Sequence, residues 1–86
     1  MTAVTIGNPA GLHARPAVKL SLLAKRFAGH VELALAEDGP WIDAKSVAQV
    51  MALRAAHGAS LHLRGEDAAV AALAALVRRG FDDAGG

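Results

Sequence analysis

Hydrophobic and polar positions along the chain switch between a period of two and a period near 3.6. Val4 and Ile6 alternate with Ala3 and Thr5, which predicts a short strand. Gly7-Asn8-Pro9-Ala10-Gly11 then breaks any regular structure. Leu20, Leu23, Ala24 and Phe27 fall at i, i+3, i+4 and i+7, one stripe of a helix expected over 16–28. Pro16 suits the first turn, where its missing N–H is not needed; Lys25 and Arg26 suit the last turn, and Gly29 is the expected stop. Val31, Leu33 and Leu35 alternate with His30, Glu32 and Ala34 as a second strand. After the turn Glu37-Asp38-Gly39-Pro40, Trp41-Ile42-Asp43-Ala44 can return as its hairpin partner. Ser46-Val47-Ala48-Gln49 has capping-box spacing and opens a short helix over 47–53. Leu61 and Leu63, alternating with Ser60, His62 and Arg64, form a fourth strand. Gly65-Glu66-Asp67 starts a last helix whose stripe is Val70, Leu73, Leu76 and Val77, with Arg78 and Arg79 near its end and Gly80 as its stop.

The predicted order is βαββαβα, an α+β domain with a mostly antiparallel four-stranded sheet. Each helix has one apolar stripe, so the helices should cover one sheet face. The expected domain runs over 1–81, with a frayed or linker-like tail at 82–86. Eighty-six residues suffice for one small domain, and a hydrophobic fraction of 53% excludes a disordered chain. Only Phe27, Phe81 and Trp41 supply rings, so the core is built from Leu, Val and Ala and is shallow.

Charge and composition remove several functions. Nine Lys and Arg against eight Asp and Glu leave a net charge of +1, too balanced for bulk binding to nucleic acid or an anionic membrane. The absence of cysteine excludes disulfides, thiolate zinc sites and a cysteine nucleophile. No basic n-region and apolar h-region open the chain, and the longest apolar run, 68–77, is about half the ~20 residues of a membrane span. A cytoplasmic monomer without membrane insertion is expected.

Candidate chemistry lies where the first loop meets the first helix, in Gly11-Leu12-His13-Ala14-Arg15-Pro16-Ala17. With Pro16 in the first turn, His13 and Arg15 lie at or just before the helix N-terminus. Backbone N–H groups there lack intrahelical acceptors and carry the positive end of the macrodipole, a ready anion site. A guanidinium adds a planar fork that matches phosphate oxygens. Positive potential disfavours imidazolium, so a ring placed there keeps a lone pair able to attack a phosphoryl group. The competing reading makes His13 a capping loop histidine and Arg15 a solvated first-turn residue.

The same seven residues resemble the active-site motif of the HPr family, the histidine-containing phosphocarriers of the bacterial sugar phosphotransferase system. Ala44-Lys45-Ser46-Val47 with Val50-Met51-Ala52-Leu53 is similar to that family's regulatory-serine segment. Gly58-Ala59, a strand and Gly65-Glu66-Asp67-Ala68-Ala69 are similar too, so the resemblance spans the chain in order. It implies an open-faced β-sandwich with three helices on one face of the sheet. It further implies that His13 is phosphorylated on Nδ1 by the phosphoenolpyruvate-dependent enzyme I and passes the group to an enzyme IIA domain. Arg15 would neutralise the phosphoryl group, and Ser46 would be the target of an HPr kinase/phosphatase, with a transcription regulator as a further partner. Docking would use Ala14, Val18, Val47, Ala48 and Met51, with Lys25 and Lys45 at the rim. For Val18, Val47 and Met51 the competing role is core.

The resemblance implies a carrier rather than a turnover enzyme, without metal or other cofactor. Alternatives are the HPr domain of a multidomain protein in a nitrogen- or dihydroxyacetone-related branch, and a regulatory module acting through phospho-Ser46. The stretch from His13 to Ser46 is slightly longer than is usual for the family, the excess falling near Glu37-Asp38-Gly39-Pro40-Trp41, where Trp41 is expected to pack at a strand edge. His30, His57 and His62 have no metal-ligand spacing.

Overall fold

The computed structural model describes residues 1–82. Its elements are β1 (Thr2–Thr5), α1 (Ala14–Ala24), β2 (Val31–Ala34), β3 (Ile42–Asp43), α2 (Val47–Ala52), β4 (Ser60–Gly65) and α3 (Asp67–Arg78), followed by a 3-10 turn at Gly80–Asp82. The sheet order is β1-β4-β2-β3, and every neighbouring pair is antiparallel. Register puts Val4 opposite Leu61 and Leu33 between Leu63 and Ile42. Strand side chains alternate between faces, so these residues share one face, and Val4, Leu33, Leu61 and Leu63 are buried there. Helix α3 lies over β1 and β4, and α1 packs against both other helices. This is the open-faced sandwich expected from the sequence.

Helix α3 keeps its expected stripe: Val70, Leu73, Leu76 and Val77 are buried, joined by the small Ala69 and Ala74. Arg79 caps it, and Gly80 follows in a left-handed conformation (φ +65°), the usual stop after a helix. Helix α1 departs from expectation at both ends. It begins at Ala14, so Pro16 is its third residue, and it ends at Ala24 rather than continuing to residue 28. The amides of Arg26 and Phe27 bond to the carbonyls of Leu23 and Ala24 at 3.1 and 3.2 Å, a tightened turn that leaves Phe27 against the core. Lys25 and Arg26 therefore lie past the last α turn, and it is the Lys45 ammonium that donates to the Phe27 carbonyl at 2.7 Å. Gly29 ends the connection because of a close approach: its N–H donates to the Glu66 carboxylate at 2.6 Å, and a Cβ would run into that carboxylate.

Polar residues account for two further differences. Ser21 is fully buried on the inner stripe of α1, where its hydroxyl donates to the Ala44 carbonyl at 2.9 Å. At α2 the Ser46 hydroxyl accepts from the Gln49 N–H at 3.2 Å, but the Gln49 amide accepts from Asp43 N–H at 3.0 Å instead of closing the box on Ser46. Both edges of the hairpin are shorter than expected. Strand β2 pairs only as far as Ala34, leaving Leu35 exposed, and β3 has two paired residues. The expected tail begins at Asp82, which lies in the 3-10 turn with its carboxylate accepting from Arg79 at 2.9 Å; the rest of that tail, 83–86, falls outside the described residues.

On the open sheet face, Arg64 donates to Glu32 at 2.8 Å, and its guanidinium sits 4.1 Å from the centre of the Trp41 ring. Trp41 thus packs at the edge as expected, with Arg64 as its cover. The Arg64 hydrogen bond holds the Glu32 carboxyl below its ordinary value of 4.5; slight burial opposes this and His30 adds to it. A carboxyl depressed in the folded state stabilises the fold above its unfolded value and loses that contribution as pH falls through the folded one. Arg64→Ala should therefore cost under about 1 kcal/mol at pH 7, as surface pairs do, with the gap to wild type narrowing below pH 4.5. Urea midpoints on both sides of that pH check this; a constant gap would assign the whole effect to the Trp41 contact.

Candidate functional site

The loop between β1 and α1 is fixed by its backbone. Asn8 is buried, and its side-chain amide donates to the Gly11 carbonyl while Gly11 N–H donates to the Asn8 carbonyl at 3.0 Å. Gly11 has φ +71°, and a Cβ there would stand 2.6 Å from the Ala55 carbonyl oxygen. Only glycine combines that conformation with that approach. Leu12 is buried in the core, and its N–H donates to the same Ala55 carbonyl at 2.8 Å. The two loops flanking α2 and β1 continue the ladder, with Ile6 N–H to Ala59 at 2.9 Å and Gly58 N–H to Ile6 at 2.7 Å.

His13 follows as the N-cap of α1, with extended backbone (φ −84°, ψ −167°). Its N–H donates to the Gly11 carbonyl and its carbonyl accepts from Ala17 N–H, both at 3.0 Å. The imidazole makes no capping bond, which removes the reading of His13 as a helix cap. Pro16 has no N–H, so only Ala14 and Arg15 bring first-turn amides without an intrahelical acceptor. Arg15 is exposed at the second helical position.

His13 is half-buried in a depression of about 370 Å³ between the start of α1 and the end of α2. Alanines at Ala10, Ala14, Ala55 and Ala56 keep its walls low, and Leu12, Met51 and Arg54 complete them. The structure thus gathers His13, Ala14 and Met51 in one place. Val18 and Met51 are 40% and 42% exposed, so neither is core; Ala48 is exposed and Val47 half-buried. Ser46 caps the opposite end of α2, about 9 Å away along a six-residue helix. Sequence reasoning missed two residues. Leu22, 58% exposed, extends the apolar face of α1 one turn past Val18. Arg54 was legible only as the one charge in the otherwise apolar run from Met51 to Ala56. Lys45, expected at the rim, is held by the Phe27 carbonyl.

Among the described residues no three His, Cys, Asp or Glu side chains come together as metal ligands. No described helix is long and apolar enough to cross a membrane.

Residues 2–79 match the family model described as PTS-HPr, "PTS HPr component phosphorylation site". The phosphocarrier protein NPr of Shewanella violacea is 39% identical over 85 residues, covering 94% of this chain and 91% of that protein. The phosphocarrier protein HPr of Pseudomonas aeruginosa is 38% identical over 84 residues, covering 93% and 92%. Among solved structures, HPr-C-His from Thermoanaerobacter tengcongensis superposes with a TM-score of 0.85 at 29% identity, covering 95% of this chain and 94% of that one.

Proposed function

This chain belongs to the PTS HPr family of phosphocarriers, and from that premise we propose that His13 is the residue that carries the phosphoryl group. The observation that supports it is the place of the ring: at the N-cap of α1, in an open depression, and not spent on capping the helix. The donor is enzyme I, charged by phosphoenolpyruvate. His13 Nδ1 attacks the phosphorus of the donor's phosphohistidine; the new N–P bond forms as the donor's N–P bond breaks, and the donor nitrogen recovers its electron pair. The amides of Ala14 and Arg15 and the Arg15 guanidinium meet the three oxygens on which the transferring group spreads its charge. An enzyme IIA domain serving sugar uptake then takes the group by the reverse chemistry, and His13 is restored.

Docking rests on Ala14, Val18, Ala48 and Met51, with Val47 beneath them. A small apolar patch of this kind suits partners that must release quickly. Phosphorylation of Ser46 would put charge at the start of α2, beside that patch, and repel acidic partner surfaces. A second reading, a nitrogen-related branch, is favoured by a relative named NPr at 39% identity standing beside one named HPr at 38%.

Incubation with enzyme I and phosphoenolpyruvate tests the proposal. One acid-labile, alkali-stable phosphate per chain is expected, and the IIA domain that discharges it separates the two branches. Absence of any phosphate would refute the carrier role of this site. Arg15→Ala should slow acceptance about ten- to hundredfold, the scale of a charge-assisted hydrogen bond in the transition state. Its thermal midpoint should hardly change, because Arg15 is exposed. Stopped-flow transfer rates equal to wild type would remove Arg15 from the clamp.

A further inference from the structure

The wall of the depression contributed by the segment after α2 holds a charged residue in an uncommon backbone conformation. Arg54 has φ +53°, in the left-handed region that a long side chain seldom adopts and that glycine enters without penalty. Phe81 shares that region, but it is fully buried and its packing accounts for it. Arg54 is exposed, so burial does not explain its conformation. What holds it is the framework on either side. Arg54 N–H donates to the Met51 carbonyl at 3.1 Å, and the neighbouring Ala55 carbonyl takes the Leu12 N–H at 2.8 Å. Arg54 and His13 are therefore the chain neighbours of the two residues joined by that bond, and their side chains line the same depression. Arg64 and Arg79 are each matched by a carboxylate, whereas the Arg54 guanidinium has no hydrogen-bond or ion-pair partner among the described residues. The left-handed turn that ends α2 after its C-cap Leu53 thus sets an exposed guanidinium at the rim of the depression that holds His13.

We infer that Arg54 is a second guanidinium for the phosphoryl group on His13, supplied from the α2 side of the depression while Arg15 serves from α1. The inference rests on His13 as the acceptor. Arg54 exchanges no proton and makes no covalent bond; the transfer at Nδ1 is as written above. Its charge stabilises the phosphorylated form relative to the free one, so it shifts the equilibrium with the donor toward this chain and makes the carrier a better store. A contact with a partner would act differently. Docking changes how fast the two proteins exchange the group, but not its final distribution between the separated proteins.

The experiment is therefore an equilibrium one. Wild type, Arg54→Gly and Arg54→Lys are each mixed with enzyme I and phosphoenolpyruvate at fixed pyruvate, and the phosphorylated fraction is read by 31P NMR. The equilibrium constant for Arg54→Gly should fall about threefold, the effect of one unit charge several ångströms away in water. Arg54→Lys, which keeps the charge, should stay near wild type. Thermal midpoints should not fall for Arg54→Gly, because glycine relieves the left-handed strain. An unchanged equilibrium constant for Arg54→Gly overturns the inference, including the case in which only the apparent KM for enzyme I rises, which would place Arg54 on a docking surface instead. Failure of wild type to take up phosphate, or uptake by His13→Ala, would refute the underlying reading and is seen separately.

Discussion

His13→Ala is expected to leave a folded chain that takes up no phosphate at all. The side chain is half-buried in an open depression rather than packed in the core, so its loss should cost within about 1 kcal/mol. The extended backbone at residue 13 suits alanine as well as histidine. Transfer should vanish rather than slow, because no other nucleophile lines the depression: its remaining walls are apolar side chains apart from Arg54, whose guanidinium stays protonated and offers no lone pair. The other histidines lie elsewhere. His30 is 3.3 Å from Glu32 at the start of β2, His62 is on β4 opposite Ala3 and Ala34, and His57 is exposed in the loop before β4. Intact mass after incubation with enzyme I and phosphoenolpyruvate reads the result directly. A phosphorylated His13→Ala protein would move the acceptor to one of those three.

Phe81→Ala should produce the largest loss of stability, about 3–5 kcal/mol, the range for emptying a fully buried phenylalanine site. For 86 residues a total stability of roughly 4–13 kcal/mol is typical, so this one change removes a large share of it. Phe81 is the last core residue among those described, fully buried after α3 by a turn in which Gly80, Phe81 and Asp82 all have positive φ. Lys19 ties the turn to α1 by donating to the Phe81 carbonyl at 2.9 Å. Urea unfolding followed by circular dichroism measures the effect. A loss under about 1 kcal/mol would show that α1 and α3 collapse into the space.

Strand and helix periods were legible because each element has one buried face. The inner residues Val4, Leu33, Leu61, Leu63 and the α3 stripe all follow the simple alternation or 3.6-residue rule. Errors came where tertiary partners decide. Ser21 interrupts the apolar stripe of α1 yet is buried, because the Ala44 carbonyl satisfies it. Gly29 looks like a helix stop by residue type, but its role depends on Glu66, 37 positions along the chain. Leu35 fits the alternation of β2 and is still exposed, because pairing ends one residue earlier. At the candidate site, His13 and Arg15 were legible through helix-end physics and the motif around them. Arg54 was not, since only the bond between Leu12 and Ala55 brings its segment beside the histidine.

Both peptide units of His13 are hydrogen-bonded, the N–H to Gly11 and the carbonyl to Ala17. The backbone at residue 13 is thereby fixed, so any change in the direction of the ring is a change of side-chain torsions alone. For the proposed acceptor this means that giver and taker meet the ring from one and the same backbone position, and neither encounter calls for the loop to be rebuilt.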